Sequence, residues 1–221
     1  MNQIKELSKL IFQKFYDHTR DHVFTVAVSG IDASGKGYVA TRLESELTAK
    51  GLRIANINID PWQNPIPIRL RAENATENFY QNVFRWDDVF EQLIIPLRRK
   101  RSVYLATQLI FSHADEYFNF AYDFREIDIL LVEAIFLFQQ KFLKYYDLNV
   151  WIDCSFETGL KRAIKRNVER LSKEKLIEDY QTYYYPAQRY HFQKDNPKQL
   201  TNLIYCNDKL LGTVGQVTVV S

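Results

Sequence analysis

Residues 22–29 form an apolar, β-branched run (HVFTVAVS) that ends on Ser-Gly. The chain then turns through Gly30, Ile31, Asp32, Ala33, Ser34, Gly35, Lys36 and Gly37 into a helix-like stretch that Gly51 stops. A buried strand, a tight glycine-bearing loop and a helix, in that order, are the opening of a layered α/β fold. Further apolar runs at residues 53–60, 128–133, 148–153 and 203–206 are separated by helix-length segments. Strands that alternate with helices predict a mostly parallel sheet covered on both faces.

The remaining segments fit around that sheet. Ile4, Leu7, Ile11 and Phe15 recur at three- and four-residue steps, so residues 1–17 read as an amphipathic helix packed on the domain. Between the second and third strands lies an insert, residues 61–127, too long to be structureless. Pro61, Pro65 and Pro67 keep its start irregular; residues 87–100 read as a helix, and 102–111 and 117–124 as short strands of a β-containing flap. Residues 156–171 read as a basic helix, and residues 173–193 contain Pro186, which predicts a break there.

Composition excludes several classes. With 221 residues, 46% hydrophobic and 25% charged, the chain suits one globular domain and not a disordered one. Twenty-nine Lys and Arg against 27 Asp and Glu give a net charge of +2, too small for wholesale attraction to nucleic acid or membrane. Cys154 and Cys206 lie far apart without a CxxC or Cys/His spacing, which argues against a disulfide framework or zinc site and for a reducing, cytoplasmic setting. The N-terminus has no signal-peptide core, and the longest apolar stretch, IDILLVEAIFLF, carries Asp128 and Glu133.

The loop from Gly30 to Gly37 satisfies G-x-x-x-x-G-K between strand and helix, the setting in which such a loop cradles phosphates. Its glycines let backbone N–H groups curl around phosphate oxygens, the helix N-terminus adds positive potential, and Lys36 reaches the β- and γ-phosphates. The bland alternative is a glycine-rich turn with a surface lysine. The position after Lys36 normally holds a Ser or Thr whose hydroxyl binds Mg²⁺, and here it is Gly37. That substitution predicts weakened metal binding, which Gly37→Ser would repair, unless carboxylates, phosphate oxygens and waters complete the shell. Tyr38 is expected to point away from the loop.

Asp60 and Glu133 each close an apolar run, and in a parallel sheet both would face the crevice beside the loop. Glu133 reads as the carboxylate that holds Mg²⁺ through water, and Asp60 as a base for an acceptor hydroxyl, with a share in the metal site. Either could instead cap a helix or begin a turn. Arg162, Arg166 and Arg170 follow at four-residue steps beside Lys161 and Lys165. This cationic stripe is either solvated or placed against a transferred phosphoryl group.

Taken together, VAVSGIDASGKG, NINID, DILLVEAIFLF, WIDCSFETGLKRAIKRN and the closing YQTYYYPAQRYHF and NPKQLTNLI segments resemble, in order, the uridine kinase and phosphoribulokinase family of P-loop kinases. The resemblance runs through most of residues 24–207. It implies a P-loop NTPase three-layer sandwich with a mostly parallel five-stranded sheet, an inserted β-flap and an arginine-bearing lid. The organisation implied is an N-terminal helix at 1–20, a kinase domain at 21–210 with its insert at about 61–127 and lid at about 159–195, and a tail at 211–221.

The resemblance also implies ATP and Mg²⁺ as cofactors and phosphoryl transfer to a hydroxyl of a small metabolite, a nucleoside or related acceptor. It gives the nucleotide the loop Gly30 to Tyr38, Mg²⁺ to Glu133 with Asp60, the lid roles to Arg162 and Arg166, and the acceptor to Asp60, His113 and Arg166; the family's acceptor-site aspartate has no clear match in NFYQNVFRWDD, where Gln81 or Asn82 falls nearby and Asn82 is taken for the acceptor. His113 reads equally as a plain hairpin residue. The chain departs from the family at Gly37, at Gly159 where uridine kinases usually show a lid arginine, at Asn167 and Asn202 where they show aspartates, and at Gln108 and Ile110 where Tyr and Phe precede the histidine. Partners expected are a small-molecule substrate, with association of copies left open, and neither nucleic acid nor membrane. The second functional reading is a nucleotide-binding protein that has lost efficient transfer through Gly37.

Overall fold

The computed structural model describes residues 3–19, 21–111, 116–167 and 170–220. Its main sheet has the strand order β2-β5-β1-β6-β7-β8, where β1 is Phe24–Gly30, β2 Ile54–Asn58, β5 Ile129–Glu133, β6 Leu148–Asp153, β7 Leu203–Cys206 and β8 Val217–Val219. The first five of these strands in spatial order run parallel, as the apolar runs predict. The sixth is a correction: β8, from the expected tail, adds antiparallel to β7. Three residues of Val-Thr-Val are too short for their alternation to stand out in the sequence.

The near-continuous apolar runs of β1 and β5 follow from burial on both faces. On one face Val26, Val28, Ile129 and Leu131 pack with Val39, Leu43 and Leu47 of the helix Lys36–Thr48 and with Leu7, Ile11 and Phe15 of the N-terminal helix Gln3–Tyr16. On the other, Ala27, Leu130, Val132 and Trp151 pack with Phe79, Val83, Phe90 and Ile94 of the insert. Helix, sheet and helix make three layers.

The insert contributes helices to this core as well as a flap. Helix Ala75–Asn82 is followed by a continuous helical run of Trp86–Val89, a π-turn at Phe90–Ile94 and Ile95–Lys100. The flap is the antiparallel hairpin of β3, Val103–Phe111, and β4, Glu116–Phe124. Trp62 Nε1 donates to Tyr122 Oη at 3.0 Å, and Arg85 donates to the Gln108 carbonyl at 2.6 Å, which ties the hairpin to the body.

The lid differs from its expected form twice. Its first helix, Phe156–Arg166, stops before residue 171 because Asn167 takes a left-handed cap (φ 38°) and exchanges side-chain bonds with the Leu171 backbone, so Arg170 leaves the stripe. Pro186 makes no break either. Helix Lys173–Asp179 continues through a π-turn at Tyr180–Tyr184 into Tyr185–Asp195. Both π-turns end two residues before a proline, Pro96 or Pro186. The wide turn carries the backbone past a residue that lacks an N–H and whose ring would strike the preceding turn.

Candidate functional site: a polar cleft beside a second cavity

The loop between β1 and its helix is shaped by close approach. A Cβ at Gly30 would stand 2.7 Å from the Ile152 carbonyl oxygen, and Gly35, at φ +92°, would put one 2.4 Å from Asn207 Nδ2. Only glycine satisfies both the conformation and the space at Gly35. Ala33 is also left-handed, at φ 53°. The first N–H groups of the helix Lys36–Thr48 have no intrahelical acceptors and open, with the helix dipole, toward the space in front of the loop.

That space is a cleft of about 570 Å³. Ala33, Gly35, Lys36, Gly37 and Tyr38 line it from the loop side, Asn58, Asp60 and Glu133 from the strand ends, and Arg162, Lys165 and Arg166 from the lid. Lys36 is buried, so its charge is presented to the cleft and not to bulk water. Tyr38 is exposed and lines the cleft, against the expectation that it points away; Arg42 sits over its ring. Gly30 and Ile31 are buried and shape the loop from behind, and Asp32 accepts a hydrogen bond from Tyr180 of the lid.

Glu133 ends β5 in register with Val28 and Asn58. It is 3% exposed, and its Oε2 has no hydrogen-bond partner among the described residues. Burial, opposed by Lys36 and reinforced by Asp60 and Asp32, pushes its carboxyl up to about 8. Asp60 lies two residues beyond β2, at the start of a 3-10 turn, Asp60–Trp62, that Pro61 imposes. Its pKa is also raised, chiefly by burial against the pull of Lys36, with Asp32 adding to the rise and Arg166 opposing it. Two carboxylates beside one lysine supply hard oxygen donors, and the unpartnered Glu133 oxygen is what a divalent cation would satisfy; the residues present fit Mg²⁺.

A second cavity, of about 320 Å³, opens beside the cleft and is lined in part by Asp32, Gln63, Arg69, Phe79 and Tyr184. Asn58, Asp60 and Arg166 line both spaces. Asp60 and Arg166 therefore stand together at the junction.

Two assigned side chains, Asn82 and Arg162, are engaged elsewhere. Asn82 does not line this second cavity; Phe79 and Val83, four residues apart on one helical face, do, while the Asn82 side chain donates to Asn78 Oδ1 at 3.0 Å and borders a separate surface hollow. Arg162 is occupied: Nη1 donates to the Ser34 carbonyl at 3.0 Å and Nη2 to the Asn207 carbonyl at 2.6 Å, so it braces the loop from the lid. At Gly159 a Cβ would stand 3.1 Å from the Asp32 carbonyl, so an arginine there requires the loop and the lid helix to part by a few tenths of an ångström. His113 lies outside the described residues.

The structure adds residues that sequence reasoning passed over. Asn207 Nδ2 donates to the Ser34 carbonyl at 2.6 Å, and Asp208 accepts from both the backbone N–H and the hydroxyl of Ser155, the cap of the lid helix. Both directly follow β7, the same strand-end position that singles out Glu133, and that was the available signal.

No family model and no curated protein matches the chain. Solved structures do. A possible uridine kinase from Bacillus stearothermophilus superposes with a TM-score of 0.73 over 92% of this chain and 97% of that one, at 17% identity. The fold is that of the uridine kinase-like P-loop kinases. D-glycerate 3-kinase from Cryptococcus neoformans var. grubii superposes with a TM-score of 0.66 over 98% of this chain and 99% of that one, at 11% identity. One scaffold thus carries proteins named for different substrates, and the fold by itself assigns no ligand to this chain. Among the described residues no helix is long and apolar enough to cross a membrane.

Proposed function

We propose that the protein transfers the γ-phosphoryl group of ATP to an alcohol hydroxyl of a small polar metabolite, a nucleoside or related polyhydroxylated acceptor. The observation that carries this reading is the junction: a cleft of about 570 Å³ in front of the glycine loop and a second, partly polar cavity share Asp60 and Arg166. ATP phosphates seated on the loop N–H groups and Lys36 would bring the γ-phosphorus to the junction, and an acceptor in the second cavity would place its hydroxyl beside Asp60. Asp60 takes the hydroxyl proton, the freed oxygen forms the new bond to the γ-phosphorus, and the bond to the β,γ-bridging oxygen breaks to leave ADP. Arg166 and Lys36 hold the charge that spreads over the transferring group.

When bound, Mg²⁺ would neutralise the β- and γ-phosphate oxygens, held by Glu133 with Asp60 nearby. The raised pKa of Asp60 makes its carboxylate a better proton acceptor than an exposed aspartate. Gln63, Arg69 and Asp32 give the second cavity donors and acceptors for further hydroxyls. Among the described hairpin residues, the two positions where uridine kinases show Tyr and Phe hold Gln108, which donates to Asn119 Oδ1 at 3.4 Å, and a buried Ile110, and neither favours a uridine-specific reading.

The reading that transfer has been lost rests on Gly37 alone. A thermal-shift panel of nucleosides, pantothenate-like compounds and sugar phosphates, each with ATP and Mg²⁺, selects the acceptor, because ligands that bind only the folded state raise its melting point. Acceptor-dependent ADP release is then compared between wild type and Asp60→Asn. A fall in turnover of ~10²–10⁴ with ATP affinity kept supports transfer; no acceptor-dependent release from wild type leaves nucleotide binding without transfer.

A further inference from the structure

Three segments meet at the N-terminal end of β1, the end opposite the phosphate loop. His18 lies two residues past the helix Gln3–Tyr16, His22 two residues before β1, and Asp147 immediately before β6. A ring nitrogen of each histidine and a carboxylate oxygen of Asp147 all lie within 4.8 Å of one another, and all three residues are half-buried. His18 and His22 also stand in the H-x₃-H spacing common among zinc ligands. Cys154 and Cys206 lie at the other end of the sheet, so no thiol takes part.

Each of the three side chains is held as a metal ligand is held. His22 Nδ1 donates to Asp21 Oδ1 at 2.5 Å, which leaves Nε2 facing Asp147 Oδ1 at 2.9 Å. His18 Nε2 donates to the His22 carbonyl at 3.2 Å, which leaves the lone pair on Nδ1; its ring stands edge-on to that of His22 with centroids 4.5 Å apart. The Asp147 carboxylate is fixed by the Thr25 N–H at 2.8 Å and by both terminal nitrogens of Arg98, at 2.5 and 2.9 Å. Metal-ligating histidines ordinarily give their other N–H to a carboxylate or a carbonyl, and ligating carboxylates are themselves hydrogen-bonded. Neighbouring ligands of a tetrahedral zinc, with bonds of about 2.0–2.1 Å, stand about 3.3 Å apart. The His22–Asp147 pair therefore opens by only a few tenths of an ångström to admit the ion, while the His18 ring swings in. Asp21 and Asp147 outnumber Arg98, so the charged groups here sum to a negative charge that favours a cation.

We propose that His18, His22 and Asp147 bind a zinc ion, with water in the fourth position, and that the metal clips the N-terminal helix to the sheet. Two imidazoles and one carboxylate suit zinc and its transition-metal neighbours and not Mg²⁺ or Ca²⁺. The site stands apart from the nucleotide cleft and does not depend on how that cleft is read.

The test is titration of Zn²⁺ into EDTA-treated, nucleotide-free protein in millimolar Mg²⁺, which competes for the oxygen donors of the cleft and hardly for imidazole. Competition with a chromogenic chelator gives zinc affinity for wild type, His18→Ala, Asp21→Ala and a Cys154→Ser, Cys206→Ser double variant, and metal-free melts confirm that each is folded. Wild type is expected to bind one Zn²⁺, and free Zn²⁺ a hundredfold above Kd to raise its melting temperature by roughly 5–11 °C. Asp21→Ala removes only an orienting partner and is expected to weaken zinc about 10–100-fold, and His18→Ala, which removes a ligand, to weaken it further. The cysteine variant is expected to bind as wild type does, and amide exchange in the helix Gln3–Tyr16 to slow when zinc is added. No zinc binding by wild type, or equal affinity in His18→Ala, overturns the proposal. Binding lost in the cysteine variant overturns it by assigning the metal to the thiols, and zinc bound without slower exchange in the helix overturns the clip.

Discussion

Arg162 links the lid to the phosphate loop, and its removal separates bracing from chemistry. Its guanidinium donates to the Ser34 carbonyl at 3.0 Å and to the Asn207 carbonyl at 2.6 Å. Hydrogen bonds to charged groups contribute about 1.5–3 kcal/mol each. Ser34 keeps a second donor, Asn207 Nδ2 at 2.6 Å, so the lower end applies and Arg162→Met should cost about 3 kcal/mol in total. For a chain of this size each kcal/mol moves the melting temperature by about 2–4 °C, which predicts a fall of roughly 6–12 °C without nucleotide. Methionine keeps the stem length, so lost packing contributes little. Scanning calorimetry on the nucleotide-free protein measures the shift, and ATP titration should show weakened binding, because the loop carbonyl is no longer held. An unchanged nucleotide-free melt accompanied by lost turnover would refute the bracing role and return Arg162 to the phosphoryl group.

Other outcomes follow from the same geometry. Gly159→Arg, which restores the residue usual in uridine kinases, should overpack the lid against the Asp32 carbonyl, cost about 1–3 kcal/mol and lower ATP affinity; a melt and an affinity equal to wild type would show that the lid helix stands farther from the loop than described. Burial alone would raise the pKa of Asp208, but hydrogen bonds from the Ser155 hydroxyl and from the Leu210 and Ser155 backbone outweigh it and hold the carboxyl at about 2. Its folded pKa lies below its unfolded one, so its contribution is complete above about pH 4 and is lost as pH falls through 2. The stability gap between wild type and Asp208→Asn in urea titrations should therefore shrink between pH 4 and 2, and a gap independent of pH there would contradict the assignment. Asp60→Asn should keep ATP affinity within twofold, and a large loss of affinity would place Asp60 on the nucleotide and not on the acceptor.

The parts of the fold legible in the sequence were those where one residue type has one use. Val26, Ala27 and Val28, like Leu130, Leu131 and Val132, are apolar at successive positions because β1 and β5 are covered on both faces, and that continuity marks a parallel core. Gly30 and Gly35 are legible because no other residue fits their space. Which way Asn82 faces was not legible because a helix turns 100° per residue, and the sequence does not say whether Phe79 and Val83 or Asn82 lines the second cavity. The π-turns before Pro96 and Pro186 were not legible because proline forbids a regular helix without saying whether the chain breaks or widens. What stands beside Gly37 was not legible either: the sequence shows the missing hydroxyl and hides the carboxylate of residue 133, which lies next to it only once β5 is in place.

The central claim, that the loop from Gly30 to Tyr38 is a nucleotide-phosphate site, is tested most directly by calorimetric titration of ATP into wild type and Lys36→Ala. Lys36 is buried at the cleft wall, where its charge is little screened. Loss of a charge-assisted contact of about 3 kcal/mol predicts affinity lower by roughly a hundredfold in the variant, with its melt unchanged or raised, since removing a buried ammonium also removes its desolvation cost. Equal ATP affinity in the two proteins, or no measurable binding by wild type, would contradict the account.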